Sequence, residues 1–305
     1  MLEEIILLSL GLVLLIYGGE QVVGNASALA RDLGLPKLFI GVTFVAVGSS
    51  IPEIATSVYS GFYRAPQFVV GHIVGSATSQ ITVGVGVVAL LSPLSLDRST
   101  VRLYGGGMLV AMGLMLAAIW SGRTTRLEGV VLVAAYLLFI ALRYEDLDLH
   151  DAVDQRASAD TTPVRAAAGL GIGLAFVVLG GHLLVVNSRQ VAVAAGVPQL
   201  VVGLLTGLGT TAPEIAIAVT AVVEDRAGIA VGTLFGSNIT DPLFSFGVGA
   251  VVNGFTFSNL DVVLGSGVYM LLASTVIVAA LFVRGEVNRP GAIGCISLYV
   301  PTFFV

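Results

Sequence analysis

Cysteine is all but missing from this chain of 305 residues: Cys295 stands alone, so a single chain has neither a disulfide framework nor a cysteine-built metal site. Charge is also scarce. Asp, Glu, Lys and Arg make up 11% of the residues, well under the roughly 25% of soluble domains. Nineteen acidic residues outnumber 14 basic ones, for a net charge of −5, which excludes the basic footprint of a nucleic-acid-binding protein. The N-terminus, Met1-Leu2-Glu3-Glu4, lacks the basic residues of a secretory signal, so the first apolar run is expected to be a retained span.

Apolar residues fill the chain instead. They make up 56% of it, and mean hydropathy is +0.98. The runs are long rather than short and alternating, so their backbone must be satisfied within helices. An all-α integral membrane protein is the reading. Laying about 20 residues on each crossing gives ten spans, roughly 4–24, 37–62, 66–91, 101–121, 127–143, 166–190, 199–224, 228–253, 259–283 and 288–305. One long polar stretch, rich in Asp and Glu, interrupts them. The organisation is therefore a first five-helix repeat (1–143), a polar linker (144–165) and a second five-helix repeat (166–305).

The halves echo each other. Gly18-Gly19-Glu20 is answered by Gly180-Gly181-His182, Gly34-Leu35-Pro36 by Gly196-Val197-Pro198, and Gly75-Ser76 by Gly236-Ser237. Five is an odd number of spans, so the second half enters the membrane from the opposite side and the repeat is inverted, a mark of secondary transporters with a midplane site. With both termini outside, ten of the 14 basic residues fall at cytoplasmic connections; only Arg64, Arg123, Arg126 and Arg189 lie outside. The basic-inside rule selects that orientation, with the central loop in the cytoplasm.

Glu53 and Glu214 sit in two copies of one pattern, Gly48-Ser49-Ser50-Ile51-Pro52-Glu53 and Gly209-Thr210-Thr211-Ala212-Pro213-Glu214. An acidic side chain at the centre of a span costs about 2.5–3.5 kcal/mol on insertion scales and marks a functional site. Each proline should break its helix, freeing carbonyls on one side and a positive helix N-terminus on the other. Ser49 and Glu53, Ser76 and Gln80, Thr210 and Glu214, and Ser237 and Asp241 are each four apart, so each pair shares a helical face. Glu53 to Gln80 and Glu214 to Asp241 are both 27 positions (80 − 53, 241 − 214). The set reads as an oxygen cage. Oxygen donors without His or Cys suit Ca²⁺ and, by the same hard-cation logic, Na⁺; zinc is disfavoured, and so is Mg²⁺, which dehydrates reluctantly.

These motifs, with Gly236-Ser237-Asn238-Ile239-Thr240-Asp241, make the chain resemble the prokaryotic Na⁺/Ca²⁺ exchangers of the cation/calcium exchanger superfamily, along essentially all ten spans. The resemblance implies a diamond of four ion sites, with Ca²⁺ between Glu53 and Glu214 and Na⁺ flanking it. Ser49, Ser50 and Ser76 would complete one flanking site, and Thr210, Thr211 and Ser237 the other. The carbonyls of Ala46 and Gly207 match contributing positions, and Gln80 and Asp241 take the remaining polar corners. Two departures stand out. Gln80 occupies a corner where the family usually has Asn or Asp, and where the potassium-dependent branch places an acid. Gly41 to Gly48 is seven positions, but Gly203 to Gly209 is six, which bears on the place of Gly207.

Simpler roles compete with these. Ser50-x-x-Glu53 and Thr211-x-x-Glu214 also fit a capping box, Ser76 and Ser237 fit small-residue helix packing, and Gln80 fits interhelical hydrogen bonding. Glu20 and His182 read as interfacial or internally paired residues. His72 is expected near the outer end of its span, facing water, and the acidic linker as a solvated charge run. The expected activity is alternating-access Na⁺/Ca²⁺ antiport across the cell membrane, with these ions as substrates, the bilayer as surroundings, no cofactor, no catalytic residue and no obligate protein partner. The rivals are an H⁺/Ca²⁺ antiporter using the same cage and, in another class, a cation channel. An intramembrane protease finds no paired aspartates or Ser-His arrangement.

Overall fold

A computed structural model describes residues 2–32, 50–143, 162–223 and 227–304. Helices dominate it: α1 (Leu2–Asp32), α2 (Ile51–Tyr63), α3 (Pro66–Leu91), α4 (Arg98–Ile119), α5 (Arg126–Arg143), α6 (Pro163–Ala195), α7 (Gln199–Val223), α8 (227–253), α9 (Leu260–Arg284) and α10 (Arg289–Ser297). Six of them, α1, α3, α4, α6, α7 and α9, are long and apolar enough to cross a membrane. Local signals set several ends. Pro163 opens α6 and Gly196, at φ 67°, closes it. The Asp97 carboxylate caps α4 by accepting from the backbone N–H groups of Ser99 and Thr100, both at 2.9 Å. Hydroxyl bonds from the same two residues, with these amides, hold the Asp97 carboxyl below its usual range.

Packing follows the glycines. On α1 and α6 a Cβ at Gly11 would stand 2.9 Å from the Gly180 carbonyl, and one at Gly180 would stand 2.8 Å from that of Gly11. Gly18 and Gly173 meet in the same reciprocal way, at 2.9 and 3.0 Å. Rising numbers on one helix meet falling numbers on the other, so α1 and α6 run antiparallel. Between α3 and α7 the approach is closer still. A Cβ at Gly71 or Gly75 would collide with the carbonyls of Leu200 or Leu204, and one at Gly203 or Gly207 with those of Phe68 or His72. Here both numbers rise together, and the two helices run parallel.

Four two-residue strands form two antiparallel ribbons at the helix connections. β1 (Leu94–Ser95) pairs with β4 (Glu286–Val287), and β2 (Arg123–Thr124) with β3 (Phe255–Thr256). The continuing bonds match as well: Leu96 N–H donates to the Gly285 carbonyl and Phe257 N–H to that of Gly122, both at 2.9 Å. Gly122 and Gly285 adopt φ +81° and +76°, a left-handed conformation that favours glycine. The main core lies among α3, α4, α7, α8 and α9, around Ile73, Ile81, Met108, Met112, Phe235 and Phe246. A smaller cluster on Leu15, Phe68 and Leu184 joins α1 and α6 to it.

One expectation fails. α7 is continuous from Gln199 to Val223, with no break at Gly209-Thr210-Thr211 or at Pro213. Proline removes a single donor, and a helix held among neighbours tolerates that loss with help from nearby hydroxyls; Thr210 and Thr211 both donate to the Gly207 carbonyl, at 3.1 and 2.7 Å. In the first half, by contrast, α2 begins at Ile51, with Pro52 and Glu53 in its first turn. The irregular turns fall elsewhere. Gln80–Gly84 and Asp241–Ser245 are π-helical, as is Val101–Gly105, so each half loosens a helix at its polar corner residue, a distortion frequent at functional sites.

Candidate ion site

Three buried carboxylates converge from α2, α7 and α8. Glu53 and Asp241 are fully buried and Glu214 is 2% exposed. Asp241 and Glu214 are close enough to act electrostatically on Glu53. Their hydrogen bonding differs. Glu214 accepts from Gln80 Nε2 at 2.6 Å and from Ser237 Oγ at 3.0 Å. Asp241 accepts from Ser76 Oγ at 3.2 Å and from Ser245 Oγ at 3.3 Å. Neither oxygen of Glu53 has a hydrogen-bond partner.

Hydroxyls complete the enclosure. Ser76 Oγ lies 3.2 Å from Thr211 Oγ1 and 3.4 Å from Gln80 Nε2, which links α3 to α7. Ser50 Oγ and Gln80 Oε1 are buried without partners. So are Thr56, Ser57 and Ser60, which continue the row Ser50–Glu53 along α2. Native structures leave few buried polar atoms unpaired, and each such atom calls for an explanation. Here the orphans are oxygen acceptors gathered beside a bare carboxylate, the donor set of a hard cation.

Of the residues singled out from sequence, the structure brings together Ser50, Glu53, Ser76, Gln80, Thr210, Thr211, Glu214, Ser237 and Asp241. The Gly207 carbonyl is engaged by the hydroxyls of Thr210 and Thr211. Ala46 and Ser49 lie outside the described residues. The capping-box reading fails at Ser50, which makes no side-chain cap bond. Glu20 is exposed on α1. His182 is also exposed, with its Nδ1 2.6 Å from the Tyr63 hydroxyl, and is thus a paired residue.

His72 is the main correction. Expected to face water, it is fully buried, with Nδ1 3.1 Å from Thr206 Oγ1, Nε2 3.4 Å from Thr210 Oγ1 and Nε2 4.0 Å from Glu53 Oε1. The signal was present in the numbering: His72, Ser76 and Gln80 recur every four residues and share one face of α3. The π turn at Asp241 had a signal in Pro242, which lies in its first turn; the one at Gln80 left no comparable trace.

Long apolar helices closing over buried carboxylates and hydroxyls are the architecture of a membrane transporter. The chain belongs to the sodium/calcium exchanger protein family, whose sequence model matches residues 4–145 and 165–304. The putative antiporter CaxA of Alkalimonas amylolytica is 29% identical over 308 residues, spanning 98% of this chain and 96% of that protein. Among solved structures, the sodium-calcium exchanger NCX_Mj, soaked with Na⁺ and Sr²⁺, is 25% identical at a TM-score of 0.58, over 97% of this chain and 96% of that one. The H⁺/Ca²⁺ exchanger CAX superimposes at a TM-score of 0.77 with 14% identity, over 99% of this chain and 82% of that one, a likeness of fold alone.

Proposed function

We propose that this protein is a secondary antiporter that exchanges Na⁺ for Ca²⁺ across the cell membrane by alternating access, the two ions competing for one oxygen cage. The observation that carries the reading is Glu53, a fully buried carboxylate with two unpartnered oxygens facing Glu214 and Asp241. A buried charge left without compensation is strongly destabilising, and a cation shared with Glu214 compensates it. Ca²⁺ sits between Glu53 and Glu214, and Na⁺ takes flanking positions at Ser49, Ser50 and Ser76 and at Thr210, Thr211 and Ser237. The carbonyls of Ala46 and Gly207 contribute at the cage ends, and Gln80 and Asp241 hold its corners.

Coupling follows from charge. An empty cage gathers like charges away from water and is costly to occlude; Ca²⁺ or Na⁺ relieves that cost, so only loaded states reorient. Two inverted repeats, 1–143 and 166–305, would build this device. Reciprocal pairing supports them: Gly11 with Gly180 and Gly18 with Gly173, β1 with β4 and β2 with β3. In each set one contact is the other with the halves exchanged, the pattern of a two-fold relation. The antiparallel α1–α6 and parallel α3–α7 crossings are those expected when the second half enters from the other side. Asn25 and Asn187, 162 positions apart, each donate to the carbonyl four residues back at 2.7 Å. The basic residues put both termini outside and the 144–165 linker in the cytoplasm. α1 and α6, long and packed on each other, would slide over the rest to switch access.

The rival is H⁺/Ca²⁺ exchange on the same cage, for which three buried carboxylates supply proton acceptors. Ca²⁺ uptake into reconstituted vesicles separates the two. Uptake into Na⁺-loaded but not choline-loaded vesicles is expected; uptake driven only by an imposed pH gradient would move the assignment to proton exchange, and flux without any counter-ion would indicate a channel.

A further inference from the structure

One nitrogen donor lies against this otherwise all-oxygen cage, and the hydrogen bonds around it define its state. Thr206 gives its hydroxyl proton to the Gly203 carbonyl at 2.9 Å, and Thr210 gives its own to the Gly207 carbonyl at 3.1 Å. Both threonine oxygens therefore meet the His72 ring as acceptors. A neutral imidazole has a single N–H. The shorter contact, Nδ1 to Thr206 Oγ1 at 3.1 Å, takes it, and the partner of one ring nitrogen sets the role of the other.

Nε2 is then left with its lone pair toward Thr210 Oγ1 at 3.4 Å and Glu53 Oε1 at 4.0 Å. Glu53 has no hydrogen-bond donor of its own. Three donor atoms, one nitrogen and two oxygens, thus converge, fully buried or nearly so. Donors on one metal ion, each bonded at about 2.0–2.2 Å, stand roughly 3–4 Å apart, which is the spacing seen here. The imidazole also has the support found behind metal-bound histidines, its second N–H held by an acceptor.

We propose that His72 Nε2, Glu53 and Thr210 form a mixed nitrogen–oxygen site within the cage that binds borderline transition-metal dications of the Zn²⁺ and Mn²⁺ class in competition with Ca²⁺. Imidazole favours such ions over Ca²⁺, which prefers oxygen throughout. The site is one-sided: the position 161 residues after His72 is Thr233, so the second repeat offers no nitrogen there. The competition rests on the reading of Glu53 as a Ca²⁺ ligand; the binding of Zn²⁺ does not.

The test is equilibrium binding of Zn²⁺ and Ca²⁺ to the purified full-length protein, with Zn²⁺ also titrated against bound Ca²⁺ so that surface histidines do not count. Wild-type protein is expected to release Ca²⁺ to Zn²⁺. His72→Gln should lower the ratio of Zn²⁺ to Ca²⁺ affinity about tenfold or more. Thr206→Val, which removes the acceptor for Nδ1–H without touching the ion, should lower the same ratio by about tenfold, in the range of second-shell losses; Thr206→Ser should restore it, and this pair carries the test if His72→Gln does not fold. Equal weakening of both ions in His72→Gln and Thr206→Val, or failure of Zn²⁺ to displace bound Ca²⁺, would overturn the proposal. Zn²⁺ binding that depends on His72 in a protein that never binds Ca²⁺ would sustain the nitrogen–oxygen site and sink the calcium reading instead.

Discussion

Glu53 and Glu214 occupy matching motifs and are equally buried, yet their surroundings differ. Glu214 lies inside a continuous α7 and accepts an amide and a hydroxyl from Gln80 and Ser237. Glu53 lies in the first turn of α2 with neither oxygen bonded. The asymmetry traces to the corner residues. Gln80, in the first repeat, is a donor and spends its amide on Glu214. Asp241, its counterpart in the second half, is a carboxyl; it accepts from Ser76 and Ser245 and adds a second acid close to Glu53. The two halves supply similar carboxylates in matching motifs, and the difference at one corner leaves Glu214 anchored by Gln80 while Glu53 lacks such a bond.

Mutations that exchange these two environments should have graded effects. The largest is expected of Glu53→Gln, which removes the uncompensated charge. Breaking a buried charge interaction costs about 3–5 kcal/mol, so Na⁺-driven Ca²⁺ uptake should fall beyond detection; uptake at the wild-type rate would show that Glu53 is not an ion ligand. Next comes Gln80→Leu, which takes from Glu214 its 2.6 Å amide bond and leaves that of Ser237 in place. A hydrogen bond to a charged group contributes about 1.5–3 kcal/mol, so the ion-free protein should unfold more readily and gain more from added Ca²⁺ than wild type does, as ligand linkage requires. A Ca²⁺-induced rise in melting temperature no larger than in wild type would argue against the anchoring role.

Gly75→Ala should act on the same bond indirectly. Its methyl would collide with the Leu204 carbonyl and wedge α3 from α7, carrying Gln80 away from Glu214. Overpacking of this kind costs about 1–3 kcal/mol, visible as a lower melting temperature in thermal unfolding. The smallest effect is expected of Ser237→Ala. It deletes the longer of the Gln80 and Ser237 bonds to Glu214, for about 1 kcal/mol, and should reproduce the Gln80→Leu behaviour in miniature; a larger effect than that of Gln80→Leu would reverse the ranking of these anchors.

Sequence spacing reached the cage because helices make it readable. Residues four apart share a face, and two matching 27-residue intervals marked Gln80 and Asp241 as equivalent corners, although the structure sets each against the other half's glutamate, Gln80 on Glu214 and Asp241 near Glu53. The paired glycines were read as marks of duplication, and at Gly18, Gly180 and Gly75 they turn out to be close helix contacts. Pro213 misled, because proline's local preference yields where surrounding helices hold the chain straight. His72 was missed for a related reason: α3 is buried on nearly every side, so hydropathy distinguishes no face, and a histidine near a span end looked solvated. Only its register with Ser76 and Gln80 pointed inward. Pro242 signalled a distortion at Asp241, whereas the π turn at Gln80 depends on backbone hydrogen bonds that no residue type there announces.

The most direct test of the waiting carboxylate is the melting curve of purified Glu53→Gln protein in chelator and then in Ca²⁺, beside wild type. A neutral amide has no need of a cation, so the ion-free variant should melt no lower than ion-free wild type and be indifferent to Ca²⁺. An ion-free variant that melts below wild type and is still stabilised by Ca²⁺ to the wild-type extent would contradict the account.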